Sequence, residues 1–166
     1  MTRILAKIMC KLPDAVANSG VSDLKERTET CMDPALRYAC FLWHMHLVDA
    51  GVKPADTPRI TPTLCQFLTK KFLFWLEMLS IPGAVRNAVE APQVAADWLE
   101  VCRVSMRDVL PIYSDVIQEP LTLDLANDCF RFVTGCFEVI NASALHIHHS
   151  ALVLAPKNSI VRELYE

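Results

Sequence analysis

Apolar residues return at three- and four-residue steps through most of this chain, and only four glycines interrupt them. That spacing lays one stripe along a helix and does not suit a strand, whose side chains alternate from face to face. The expectation is an all-α fold, an irregular multi-helix bundle of about six to eight helices joined mostly by short loops. One domain is expected over residues 1–166, with 1–32 an N-terminal extension holding a short helix and a loop, and 33–166 the helical core.

The boundaries follow from caps and breakers. Residues 1–12 allow a short helix ended by Pro13, residues 13–22 read as a loop, and Asp23 to Arg27 as one or two turns. Asp33-Pro34 opens the first strong helix: the carboxylate accepts from free backbone N–H groups, and proline at the first helical position gives up nothing. Leu36, Cys40, Trp43 and Leu47 form its apolar stripe, and Gly51 suits its end. Phe41, Leu42 and Met45 widen the stripe enough to predict burial on more than one side. A Pro-rich loop over 52–60 precedes a helix from Thr61-Pro62 to about Ser80, carrying Leu64, Leu68, Phe72, Trp75 and Leu79. Further helices are expected over 84–90, over Gln93 to Leu110 with Pro111 ending or kinking it, and onward through Ile117. Leu121 to Ile140, Ala142 to Leu154 and Ser159 to Tyr165 complete the set.

Composition excludes several classes. The net charge is −3, and the densest basic cluster is Lys70-Lys71, so no nucleic-acid partner is expected. The longest stretch without charged residues, Val139 to Pro156, is interrupted by histidines and other polar residues and is no membrane span. The seven cysteines are odd in number, scattered and free of any C-x-x-C, which reads as a reduced, cytoplasmic chain. With 52% hydrophobic residues and a mean hydropathy of +0.26, the chain has apolar surface to spare, to be buried in a generous core or against a neighbour.

Residues able to carry chemistry are sparse. His44 and His46 point apart on a helix and cannot share a metal. His146 and His149 are three apart and can share a face, with His148 alongside, but no carboxylate lies within their run and no zinc motif surrounds them. They support the alternative reading, a small helical metal-binding protein or enzyme. No phosphate loop or nucleophile elbow occurs. Cys40, Cys129 and Cys136 fall on apolar faces, where thiols are inert. Gly135 reads as an aid to close helix packing, the aromatic stripe as core, and Asp124 with Asp128 as a solvated face. No catalytic, cofactor-binding or metal-ligating residue is expected, and no enzyme activity.

Four phrases in fixed order carry a resemblance: Cys10-Lys11-Leu12-Pro13-Asp14 with Asn18-Ser19-Gly20-Val21, Leu36 through Leu47, Phe67 through Ser80, and Ser150 through Tyr165. Together they resemble the helical region of fungal NACHT/STAND-type, NLR-like signalling NTPases, which follows the nucleotide-binding module and precedes a WD-repeat propeller. The most specific parts are Ala151 to Val161 and the helix containing Tyr38, Cys40, Trp43 and Leu47. Departures occur at His148-His149, where relatives often have a tyrosine, and before Trp43, where they often have a basic residue. Neither the phosphate loop nor the propeller repeats occur in this sequence, so it reads as a fragment or truncated product. The resemblance implies a non-catalytic helical connector that couples nucleotide state to a repeat-built sensor. Its partners would be those two flanking domains or another protein, with self-association a further possibility.

Overall fold

The computed structural model describes residues 10, 12, 17–105 and 119–166. Most of the short helix expected over 1–12, the end of the one expected over Gln93 to Leu110 and its continuation over Ile112 to Ile117 lie outside the described residues. Within them the chain is all-α. The helices are α1 (Leu24–Cys31), α2 (Pro34–Ala50), α3 (Thr57–Lys70), α4 (Phe72–Ser80), α5 (Arg86–Ser105), α6 (Glu119–Gly135), α7 (Phe137–Ala142), α8 (Leu152–Leu154) and α9 (Ile160–Tyr165). A π-helical turn over Ile147–Ala151 leads into α8.

The bundle is built around α4. Apart from Glu77 and Ser80 its sequence is apolar all round, so it is stable only when surrounded. From Phe72 to Ser80 only Phe74 reaches solvent appreciably. α2, α3, α5, α7 and the π-helical turn pack against it, and α5 with α6 forms the most extensive helix pair of the bundle. Ala88, Ala91, Ala95 and Ala96 line the buried side of α5, and these short side chains let another helix approach closely.

Nine helices stand among the described residues, against the six to eight expected, partly because two continuous stretches each break at one residue. Lys71 (φ −125°, ψ −8°) separates α3 from α4, and Cys136 (φ −114°, ψ 16°) separates α6 from α7. Both leave the α region for the neighbourhood of the bridge region. At Lys71 the break opens the i→i−4 ladder between Leu68 and Phe72. The Tyr165 hydroxyl fills it, donating to the Leu68 carbonyl at 2.8 Å and accepting from Phe72 N–H at 3.1 Å.

Other expectations need correction. The helix expected to start at Thr61 begins at Thr57, and Pro62 lies inside it. The stretches 84–90 and 93–110 are not separate: α5 runs through Pro92, whose ring is buried. Proline in a helix interior forfeits one backbone bond and clashes with the preceding turn, at a cost of about 3 kcal/mol; burial of this face offsets it. Gly135 ends α6 with nothing near the place a Cβ would occupy, so it serves no close packing. Ala142 to Leu154 is not one helix, because Ser143 is extended (φ −160°, ψ 130°).

Residues of the expected N-terminal extension pack into the bundle. Leu12 joins Ile81 and Ala144 in a small satellite core. Asn18 Nδ2 donates to the Ser80 carbonyl at 2.8 Å, its Oδ1 accepts from Ala144 N–H at 3.2 Å, and Ser80 Oγ donates to the Ile140 carbonyl. One buried asparagine thus ties the N-terminal segment to α4 and to the α7 exit. Cys10 and Cys31 are joined by a disulfide with Cα atoms 5.6 Å apart, so this pair departs from the expected set of reduced thiols.

Candidate interaction surface

Most polar groups that looked chemically interesting are engaged in holding the bundle together. Asp128 was expected in solvent beside Asp124. Asp124 is exposed, but Asp128 is buried and accepts from Ser159 Oγ at 2.7 Å and Val161 N–H at 3.0 Å. Ser159 in turn caps α9 by accepting from Arg162 N–H at 3.2 Å. The Arg162 guanidinium covers the Val153 and Ala155 carbonyls at 3.2 and 2.9 Å. The distinctive Ser150–Tyr165 phrase is therefore a set of caps and brackets.

The histidines separate. His149 is exposed and His146 half-buried, whereas His148 turns inward and its Nε2 meets Glu77 Oε1 at 2.6 Å. Glu77 is wholly buried on α4. The carboxylate that the histidine run lacks comes from a helix 71 residues away, a pairing the sequence gives no signal for. Among the described residues no three metal-binding side chains converge. Burial raises the pKa of the Cys40, Cys129 and Cys136 thiols, Cys129 most, which disfavours the reactive thiolate.

His46 is exposed and pairs with the Tyr38 hydroxyl at 2.9 Å, while His44 is buried, as their opposed directions on α2 predict. Burial lowers the His44 pKa from its ordinary 6.5, and Glu90 opposes this weakly. With the folded value below the unfolded one, the unfolded chain takes up more protons as pH falls through about 6.5, so stability is level above that pH and declines below it. Thermal melts from about pH 7.5 to 5 should show this decline, with one group contributing at most about 1.4 kcal/mol per pH unit. The His44→Gln variant should have a shallower slope; an unaltered slope would reject the assignment.

What remains without an internal explanation is the outer side of α2. Burial on more than one side was expected; among the described residues α2 packs chiefly on α5 and α4, and part of its surface stays open. Tyr38 (54%), Leu42 (37%), Met45 (46%) and Val48 (55%) stay exposed. Next to this ridge, α2 and α3 diverge around an apolar cleft of about 680 Å³. Its walls include Leu36, Trp43 and Leu47 from α2 and Ile60 and Phe67 from α3, with Trp75 of α4 at the base. Trp43 and Phe67 meet at 5.1 Å with their rings tilted by 58°, and Trp75 Nε1 donates to the Cys40 carbonyl at 2.8 Å, so these walls are held against each other. A second hollow of about 510 Å³ lies on the other flank, between Met32 and Phe41. Trp43 Nε1, His44 Nδ1 and Thr61 Oγ1 are the buried side-chain polar atoms without a partner among the described residues, and all belong to α2 and α3. Contiguous exposed apolar surface beside a preformed cleft is the usual mark of a protein contact. No described helix is long and apolar enough to cross a membrane.

No protein-family model matches the chain, and no solved structure matches it. The chain is similar to vegetative incompatibility protein HET-E-1 of the fungus Podospora anserina, with 26% identity over 135 residues. The match takes in 79% of this chain and 9% of that protein, so the chain spans a small part of its relative's length. It supports the resemblance to fungal NACHT and WD-repeat proteins drawn from the four phrases.

Proposed function

We propose that this chain is a non-catalytic helical connector and interaction module of NLR-like, NACHT-type signalling proteins, acting in the cytoplasm between a nucleotide-binding module and a WD-repeat propeller. The observation that carries this reading is the similarity to part of a much larger fungal incompatibility protein. Two features agree with it. The distinctive phrases resolve into buried brackets such as Asn18–Ser80 and Asp128–Ser159, which preserve a shape and need no substrate. The apolar surface left over is gathered on α2 and the α2–α3 cleft, where a neighbouring surface can cover it.

A connector relays a nucleotide state without holding the nucleotide. Titration calorimetry of the full chain with Mg-ATP and Mg-GTP should therefore give no saturable heat, with any dissociation constant weaker than about 1 mM, or less than about 4 kcal/mol of binding. A micromolar, stoichiometric isotherm for either nucleotide would overturn the reading.

A further inference from the structure

We propose that Cys10 and Cys31 form a reversible redox site, opened by small cellular thiols and closed by their disulfides, that governs whether the chain before α2 stays seated on the bundle. The compartment is taken from the connector reading; the rest stands on geometry. The two cysteines are joined, with Cα atoms 5.6 Å apart, whereas Cys40, Cys65, Cys102, Cys129 and Cys136 are free. A disulfide in a cytoplasmic chain is usually transient and redox-sensing. Cys10 and Cys31 are each half-buried, unlike Cys102 and Cys129 in the core, and an accessible disulfide is the more readily reduced kind. Cys10 also holds φ at +63°, in the left-handed region that a residue with a Cβ enters at a cost. Opening the bond releases that constraint and so favours the two thiols.

The exchange balances with the small thiol as its one reagent. A thiolate attacks one sulfur of the pair; the Cys10–Cys31 bond breaks, a mixed disulfide forms, and the other cysteine leaves as a thiolate and takes up a proton. A second small thiol then displaces the first. In sum, one protein disulfide and two small thiols become two protein thiols and one small disulfide, a two-electron reduction of the protein. What the bond holds is otherwise weakly held. Helix α1 ends at Cys31, is eight residues long and buries only Thr28, and a helix so short is marginal on its own. Its Asp23–Arg27 ion pair is exposed and adds little. The Arg27 guanidinium meets the Cys10 carbonyl only at a long 3.5 Å. Cys10, Val21 and Leu24 pack around the satellite core of Leu12, Ile81 and Ala144. Asn18, between the two cysteines, is fastened to Ser80 and Ala144 by hydrogen bonds that involve no sulfur. Reduction therefore leaves Asn18 in place and loosens the chain on both sides of it. Leu12 can leave Ile81 and Ala144, and α1 can fray between Asn18 and the buried Met32.

Thiol alkylation and mass measurement of the full chain, equilibrated in glutathione buffers of about 10 mM total, read the state of the pair. It should be mostly reduced at about a 100:1 ratio of reduced to oxidised glutathione and mostly oxidised at about 1:1. Hydrogen exchange reads the consequence. The Arg27 and Met32 amides donate to the Asp23 and Thr28 carbonyls, and both should exchange at least about tenfold faster in the reduced chain. That lies below the roughly two-hundredfold that closing a loop of this length can supply. Amides of α4 should not change, which checks that the bundle is intact. Cys31→Ser should show the fast α1 exchange in both buffers. A pair still oxidised at 100:1 is a structural staple, and one that never forms at 1:1 is no redox site; either result overturns the proposal. Equal α1 exchange in the two forms, or a Cys31→Ser chain that still responds to the buffer, overturns it too. None of these outcomes bears on nucleotide binding, so a pair that resists glutathione in a chain that still gives no nucleotide heat removes the redox site and leaves the connector reading standing.

Discussion

Replacing Asp128 with alanine is expected to lower the melting temperature of the full chain by about 6–12 °C. The buried carboxylate accepts from Ser159 Oγ and Val161 N–H, and its other oxygen takes a longer 3.3 Å bond from Arg131 on the surface. Truncation leaves a hydroxyl and a backbone N–H without their acceptor and opens a small void. Hydrogen bonds to a charged group contribute about 1.5–3 kcal/mol each, and two that act on one bracket do not add fully, so about 3 kcal/mol is the reasonable loss. For a chain of this size each kcal/mol shifts the midpoint by about 2–4 °C. Asp128→Asn keeps one acceptor oxygen and should lose about half as much. Hydrogen exchange at the Val161 amide is the local readout; if Asp128→Ala left both midpoint and exchange unchanged, the bracket would have no energetic role.

The second large effect is expected for Tyr165→Phe, about 2 kcal/mol, or roughly 4–8 °C. The ring stays and only the hydroxyl is lost, so packing is preserved. The cost is the pair of backbone groups it leaves behind, the Leu68 carbonyl and the Phe72 N–H on either side of the Lys71 break. They can recover by closing into an ordinary helical bond only if Lys71 returns to helical geometry, which would straighten α3 into α4 and drive the two stretches off their separate packing directions. Exchange at Phe72 should accelerate specifically. Because Asp128 and Tyr165 both fasten α9, the double variant should lose less than the sum of the two, since a helix already released cannot be released again.

The helical class, the Asp33 cap, the Gly51 terminus and the buried α4 stripe are legible in the sequence because each is a local matter of spacing or cap chemistry. The errors arise where a distant residue decides a local outcome. Thr61-Pro62 reads as a helix start because proline is usually placed there, yet four earlier residues wind into the same helix and leave Pro62 pointing to solvent. Lys71 and Cys136 carry no breaker signature; their breaks answer to packing, and at Lys71 to a tyrosine 93 residues further on from Phe72. Asp128 reads as a solvent carboxylate because it lies i,i+4 from Asp124, and only the arrival of Ser159 shows its purpose. Glu77 sits in an apolar run where a carboxylate signals a buried partner, but nothing local points to His148. The α2 surface departs in the other direction: its composition announces more burial than the described residues supply, and Tyr38, Met45 and Val48 stay exposed.

The way α9 is fastened has a mechanical consequence. Its start is held on α6 by Asp128 and its end on the α3–α4 joint by Tyr165. Tension along the backbone near residue 166 therefore loads two separate places in the bundle together. Failure at the tyrosine end frees the Leu68 carbonyl and the Phe72 N–H at that joint while Asp128 still holds the start of the helix, so the two anchors share the load and need not part together.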